Sequence, residues 1–116
     1  MTDFRLVEFR VYHLKPGTQA EFHDLVSRFS IPMLAEVGMD VVAYGPSVRD
    51  ADGYFLFRSY TTLEHLVSSQ DAFYSSDAWL SGPREAIISL IESSESATAW
   101  LSMEAIAAMK RSRGAG

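Results

Sequence analysis

From Phe4 to Leu14 apolar and polar residues alternate, with Val7, Phe9 and Val11 on one side of an extended chain and Glu8, Arg10 and Tyr12 on the other, which predicts a strand. Lys15-Pro16-Gly17 ends it, because proline lacks a ladder donor and glycine permits a turn. The period then lengthens. Phe22, Leu25, Val26, Phe29, Met33 and Val37 recur every three or four residues after a capping-box pair, Thr18 and Glu21, and before Gly38. Pro32 interrupts this helix without changing its apolar phase, so a kink is expected rather than a break.

Strands are predicted over 40–47 and 53–60, joined by the hairpin loop Arg49-Asp50-Ala51-Asp52-Gly53. A second capping box, Thr61 to Glu64, opens a helix carrying Leu63, Leu66, Val67, Gln70 and Phe73. Ser75-Ser76-Asp77 breaks it and caps a further turn at Trp79. After Gly82-Pro83, the residues Ile87, Ile88, Leu90 and Ile91 predict a third apolar helix, and a last strand follows over 96–102. Residues 103–116 are read as an extension, a short helix fraying into the basic tail Lys110-Arg111-Ser112-Arg113.

The order is that of a split β-α-β unit: an α+β, ferredoxin-like domain over 1–102, with a four-stranded antiparallel sheet and helices on one face. The helices are assigned to the uniformly apolar set Val7, Phe9, Val11, Phe55 and Phe57. The opposite set is Leu6, Glu8, Arg10, Tyr12, Tyr54, Leu56, Arg58 and Tyr60, joined by Tyr44 and Trp100. So aromatic a surface is too large to stay wet on a small monomer, and a second copy is expected to cover it, sheet on sheet, in a homodimer.

Composition narrows the function. At 116 residues and 47% hydrophobic content, one core serves the whole chain. A net charge of −5 repels polyanions, so nucleic acid is not an expected partner. The absence of cysteine removes disulfides, thiolate nucleophiles and zinc–thiolate sites. With neither a signal-like apolar region at the start nor a span of about 20 apolar residues, the chain is expected to be cytoplasmic, with no membrane partner.

Arg10 and Arg58 share a face on the central strands, and two enclosed guanidiniums require a counter-ion, of which Glu8 is the obvious one. Two readings stay open: Glu8 saturates the arginines and merely holds the sheets in register, or one arginine anchors a ligand carboxylate or enolate. The candidate ligand-binding set is Glu8, Arg10, Tyr12, Tyr44, Arg58, Tyr60 and His65, enclosed between the two sheets of the dimer and binding a small organic molecule, aromatic or anionic. His13, His23 and His65 lack metal-site spacing, and no metal is expected. No Gly-rich phosphate loop, dinucleotide fingerprint or G-x-S-x-G elbow occurs, so no cofactor is expected either.

The stretches "VEFRVYHLKPG", "FSIPMLAEVG", "YFLFRSYTTLEHL" and "DAFYSSDAW", spread over residues 5–101, resemble the NIPSNAP family within the dimeric α/β-barrel superfamily. The resemblance implies the ferredoxin-like fold and a homodimer. Superfamily members include cofactor-independent and heme-degrading monooxygenases, isomerases and stress proteins. The resemblance implies fold and dimerisation far more than a reaction; if the chain is an enzyme, cofactor-independent oxygenation or isomerisation fits best, and the alternatives are a structural protein with a filled interface and a heme-handling protein. For heme, His65 resembles in position the axial ligand of such relatives. The extension after Ser102 matches no family role.

Overall fold

The computed structural model describes residues 3–113; the last residues of the tail, 114–116, lie outside them. Four strands, β1 (Phe4–Leu14), β2 (Asp40–Pro46), β3 (Gly53–Tyr60) and β4 (Ile91–Ser102), form one antiparallel sheet in the order β2-β3-β1-β4. The α+β, ferredoxin-like reading holds. Strands β1 and β3 occupy the middle, and Glu8 stands directly opposite Arg58, Arg10 opposite Leu56 and Tyr12 opposite Tyr54. Strand β4 starts five residues earlier than the pattern predicts, because β1 continues to Leu14 and its last residue pairs with Ile91. The third helix is shortened accordingly.

The first helix is continuous but changes pitch: α1 (Gln19–Leu25), a π-turn over Val26–Ser30, then α2 (Ile31–Glu36). Proline lacks the N–H for its i−4 bond and its ring crowds that carbonyl. A widened turn immediately before Pro32 accommodates both defects, so the expected kink takes the form of a π-turn. At the end, Gly38 adopts φ +80° and donates to Ala35 O, while Met39 donates to Leu34 O, as the sequence predicts for a C′ glycine. Two caps differ from the expectation. Thr18 donates its hydroxyl back to Lys15 O and caps nothing, and α3 (Leu63–Tyr74) is capped by Thr62, one residue later than predicted. Ser76 caps α4 (Asp77–Leu80), as expected, and α5 (Arg84–Ile88) follows.

The assignment of the sheet's faces is reversed. The main core packs α1 to α5 against Leu14, Tyr54, Leu56, Tyr60 and the partly buried Tyr12 and Tyr44, so the polar-and-aromatic set lies under the helices. Val7, Phe9, Val11, Phe55 and Phe57 are on the other face. Strand alternation separates two sets but does not say which one the crossover helices cover. A continuously apolar set suggested the core; its actual cover is a sixth helix. Helix α6 (Met103–Arg113) lays the buried Ile106 and the partly buried Met109 against Val7 and Val42, forming a second, smaller core on that face. Lys110 reaches Asp40 at 2.6 Å, so the first residue of the basic tail is tied down. Asp40 also accepts the hydroxyl of Ser59, which in turn accepts Arg5 Nε at 2.8 Å.

Candidate functional site

Between sheet and helices, inside one chain, lies a cavity of about 230 Å³. That is the liquid volume of about eight waters, room for a small ring system. Its walls are two aromatic groups. Tyr12, Phe22 and Tyr54 form one, with Phe22 edge-on to Tyr54 at 4.9 Å; Phe73, Tyr74 and Trp79 form the other, with ring centres 5.1 to 5.5 Å apart. Val26, Leu34, Leu56 and Ile87 fill the remaining wall, and the exposed Ile88 and Ser94 mark an opening between α5 and β4.

The polar groups come from β1 and β3 by register. Arg58, wholly buried, donates Nε and Nη2 to Glu8 Oε1 at 3.2 and 2.7 Å, and its Nη1 to the hydroxyl of Tyr74 at 2.8 Å. Arg10 donates Nη2 to the other oxygen, Glu8 Oε2, at 2.9 Å. Glu8 therefore bridges both arginines within the chain. Burial acts to raise the Glu8 carboxyl, but Arg58 above all overcomes this and holds it below the usual carboxylate range. One carboxylate faces two guanidiniums, which leaves one positive charge without a partner. Arg10, a residue of the cavity wall, is the less enclosed of the two, and its buried Nε makes no hydrogen bond among the described residues. An orphaned buried N–H costs about 1–3 kcal/mol and calls for an acceptor.

Of the residues read from the sequence, Arg10 and Tyr12 line the cavity. Glu8 and Arg58 lie behind it as its electrostatic support. Tyr60, fully buried, accepts Gln70 Nε2 at 3.1 Å and is a core residue, and Tyr44 packs at the core's margin beside His23. His65 is elsewhere, in a separate pocket lined by Val37 to Met39, Ser68, Ser69, Ala72, Phe73 and Ser76, where its Nδ1 accepts the Thr61 N–H. The side chains of this face thus point toward the helices of their own chain. Tyr74, Trp79, Phe22 and Ser94 are not among the site residues read from the sequence; the cluster of rings in "DAFYSSDAW" signals Tyr74 and Trp79, Phe22 is legible only as part of a helical stripe, and Ser94 has no signal. His23 stands on the first helix, where its Nδ1 meets the Tyr54 hydroxyl at 2.7 Å. Burial holds the phenols of Tyr12 and Tyr54 well above their ordinary range, so both stay protonated and neutral. Among the described residues no group of three or more His, Cys, Asp or Glu is placed to hold a metal, and no helix is long and apolar enough to cross a membrane.

No family model and no curated protein matches the sequence. Solved structures do match. A NIPSNAP family protein from Agrobacterium tumefaciens superimposes with a TM-score of 0.75 at 21% identity, over 82% of this chain and 90% of that one. A NIPSNAP domain protein from Burkholderia xenovorans gives 0.72 at 16%, over 81% and 91%. A protein described as "Putative antibiotic biosynthesis monooxygenase" from Bordetella bronchiseptica gives 0.63 at 16%, over 84% and 95%. At these identities the likeness is one of fold.

Proposed function

With the fold of the NIPSNAP structures as premise, we propose that this protein binds a small, largely apolar or aromatic organic anion in the cavity between its sheet and helices, with Arg10 as the anchor. One observation carries the reading: a buried, unpartnered guanidinium N–H with surplus positive charge, at the wall of an otherwise aromatic and aliphatic cavity. That is the composition of a ligand site, few polar groups in an apolar lining. A structural protein needs no such void.

If turnover occurs, cofactor-independent oxygenation or isomerisation fits best, because an arginine in a dry pocket stabilises an enolate-like charge as it develops. The monooxygenase-like neighbour supports this by fold alone. A heme reading has less support, since His65 lies outside the cavity in a pocket bordered by serines. We also propose a homodimer, now through the apolar face. Phe9 and Phe57 border the small core under α6 and, with Phe55, form ring pairs with centres 4.9 Å apart, beside the exposed Val11 and the exposed edge strand β4.

The test is a titration of the isotope-labelled protein with small aromatic acids, followed by amide NMR. Shifts clustered at Val26, Leu34, Phe73 and Ser94 and weakened in Arg10→Gln are expected. A panel that leaves these amides unmoved, in protein shown to be folded, removes the reading. Sedimentation of the parent tests the dimer.

A further inference from the structure

The hydrogen-bond inventory of the cavity says more about its ligand than charge alone. Arg58 has each of its three nitrogens engaged: Nε and Nη2 on Glu8, Nη1 on Tyr74. The Tyr74 oxygen therefore accepts, and its own proton has no acceptor among the described residues. Tyr74 lines the cavity, beside a cation that polarises its O–H toward donation. Tyr12 lines it too, and its hydroxyl has no partner among the described residues. Both tyrosines line the same cavity, and after burial Tyr74 is the largest contributor to the raised Tyr12 phenol. Arg10 Nε–H completes the set.

Against three free donors, the cavity offers almost no acceptor. Both oxygens of Glu8 are taken by arginine nitrogens, and the other side-chain oxygens of the lining are neutral hydroxyls, those of Ser30 and Ser94 and that of Tyr54, which meets His23 Nδ1. An ammonium group placed here would meet a site that already carries an unbalanced positive charge. A planar carboxylate has two oxygens and about four lone-pair sites for these donors, and supplies the one negative charge that is missing.

We infer that the ligand of this cavity is an aromatic or aliphatic monocarboxylate without a neighbouring amine, and that Tyr74, positioned by Arg58, is a ligand donor alongside Arg10 and Tyr12. This rests on the proposed function and narrows it. Three probes of one shape separate the two ideas in isothermal titration: 2-naphthoate, the neutral 2-naphthylmethanol and the zwitterion 3-(2-naphthyl)alanine.

Expected is tightest binding of 2-naphthoate, weaker binding of the alcohol and none of the zwitterion. Tyr74→Phe should weaken 2-naphthoate about tenfold, as loss of a hydrogen bond to a charged acceptor does, and leave the alcohol unchanged. Arg10→Gln should do the same more strongly. If the alcohol binds as well as the carboxylate, or Tyr74→Phe weakens both probes equally, the carboxylate inference is overturned and the cavity reading stands. If no probe binds the folded parent, both fall.

Discussion

The two faces of one sheet solve opposite problems. Under the helices, β1 and β3 bury a carboxylate and two guanidiniums, with Arg58 wholly enclosed, and the packing stops short of filling the space. On the other face the strands present mostly carbon, Val7, Phe9, Val11, Phe55 and Phe57, beside a polar link of Arg5, Ser59 and Asp40 to Lys110, and a single helix covers part of it. The face with the larger core holds the cavity; the mostly apolar face is left partly open. Burial of charge is tolerated where register places every partner within reach, whereas an apolar face tolerates exposure only if something else covers it.

The largest expected effect breaks the charged side. Glu8→Leu strands a fully buried Arg58 and should cost about 3–5 kcal/mol in urea denaturation. A loss below about 1 kcal/mol would mean that the triad is not what organises that face. Next comes the apolar side. Ile106→Ala should destabilise by about 2–4 kcal/mol, because Ile106 is the buried knob that seats α6 on Val7 and Val42. No measurable loss there would place α6 off the sheet.

Acid sharpens the comparison, since each face carries one depressed carboxyl. Burial raises both Glu8 and Asp40, and cationic partners reverse it, Arg58 for Glu8 and Lys110 for Asp40. A carboxyl depressed in the folded state contributes stability that is complete above its ordinary range and is lost as pH falls through the folded-state value. Stability should therefore decline below about pH 4.5, and Lys110→Met should flatten only the Asp40 share, by about 1 kcal/mol or less for so exposed a pair. An unchanged acid limb in that variant would contradict the tie between α6 and β2. The smallest effect belongs to Val11→Lys on the open face: within about 0.5 kcal/mol for the chain itself, read by thermal melting, yet a shift to lower mass in sedimentation if a second copy docks there. A large loss of chain stability would mean that Val11 belongs to the intramolecular core.

Strand and helix order, the α+β topology and the Glu8–Arg10–Arg58 grouping were legible in the sequence, because alternation and three-to-four spacing are local properties and charged residues two apart on a strand share a side. The ends of β4 and α5 were not, since Ile91 satisfies a helical stripe as well as the strand that Leu14 recruits. The candidate site was half legible. Arg10 and Tyr12 stand on a strand whose parity can be read, but Tyr74 and Trp79 reach the cavity only because α3 and α4 fold back over the sheet.

By itself the sequence determined which residues stand together on each side of each strand; the register that sets Glu8 opposite Arg58 came with the pairing of β1 and β3. Which side receives the helices, where space is left unfilled and which arginine nitrogen lacks a partner were decided by tertiary packing. The reason is that parity is fixed residue by residue along the backbone, whereas the cover of a face is chosen by crossovers and by a C-terminal helix distant in sequence from the strands it protects.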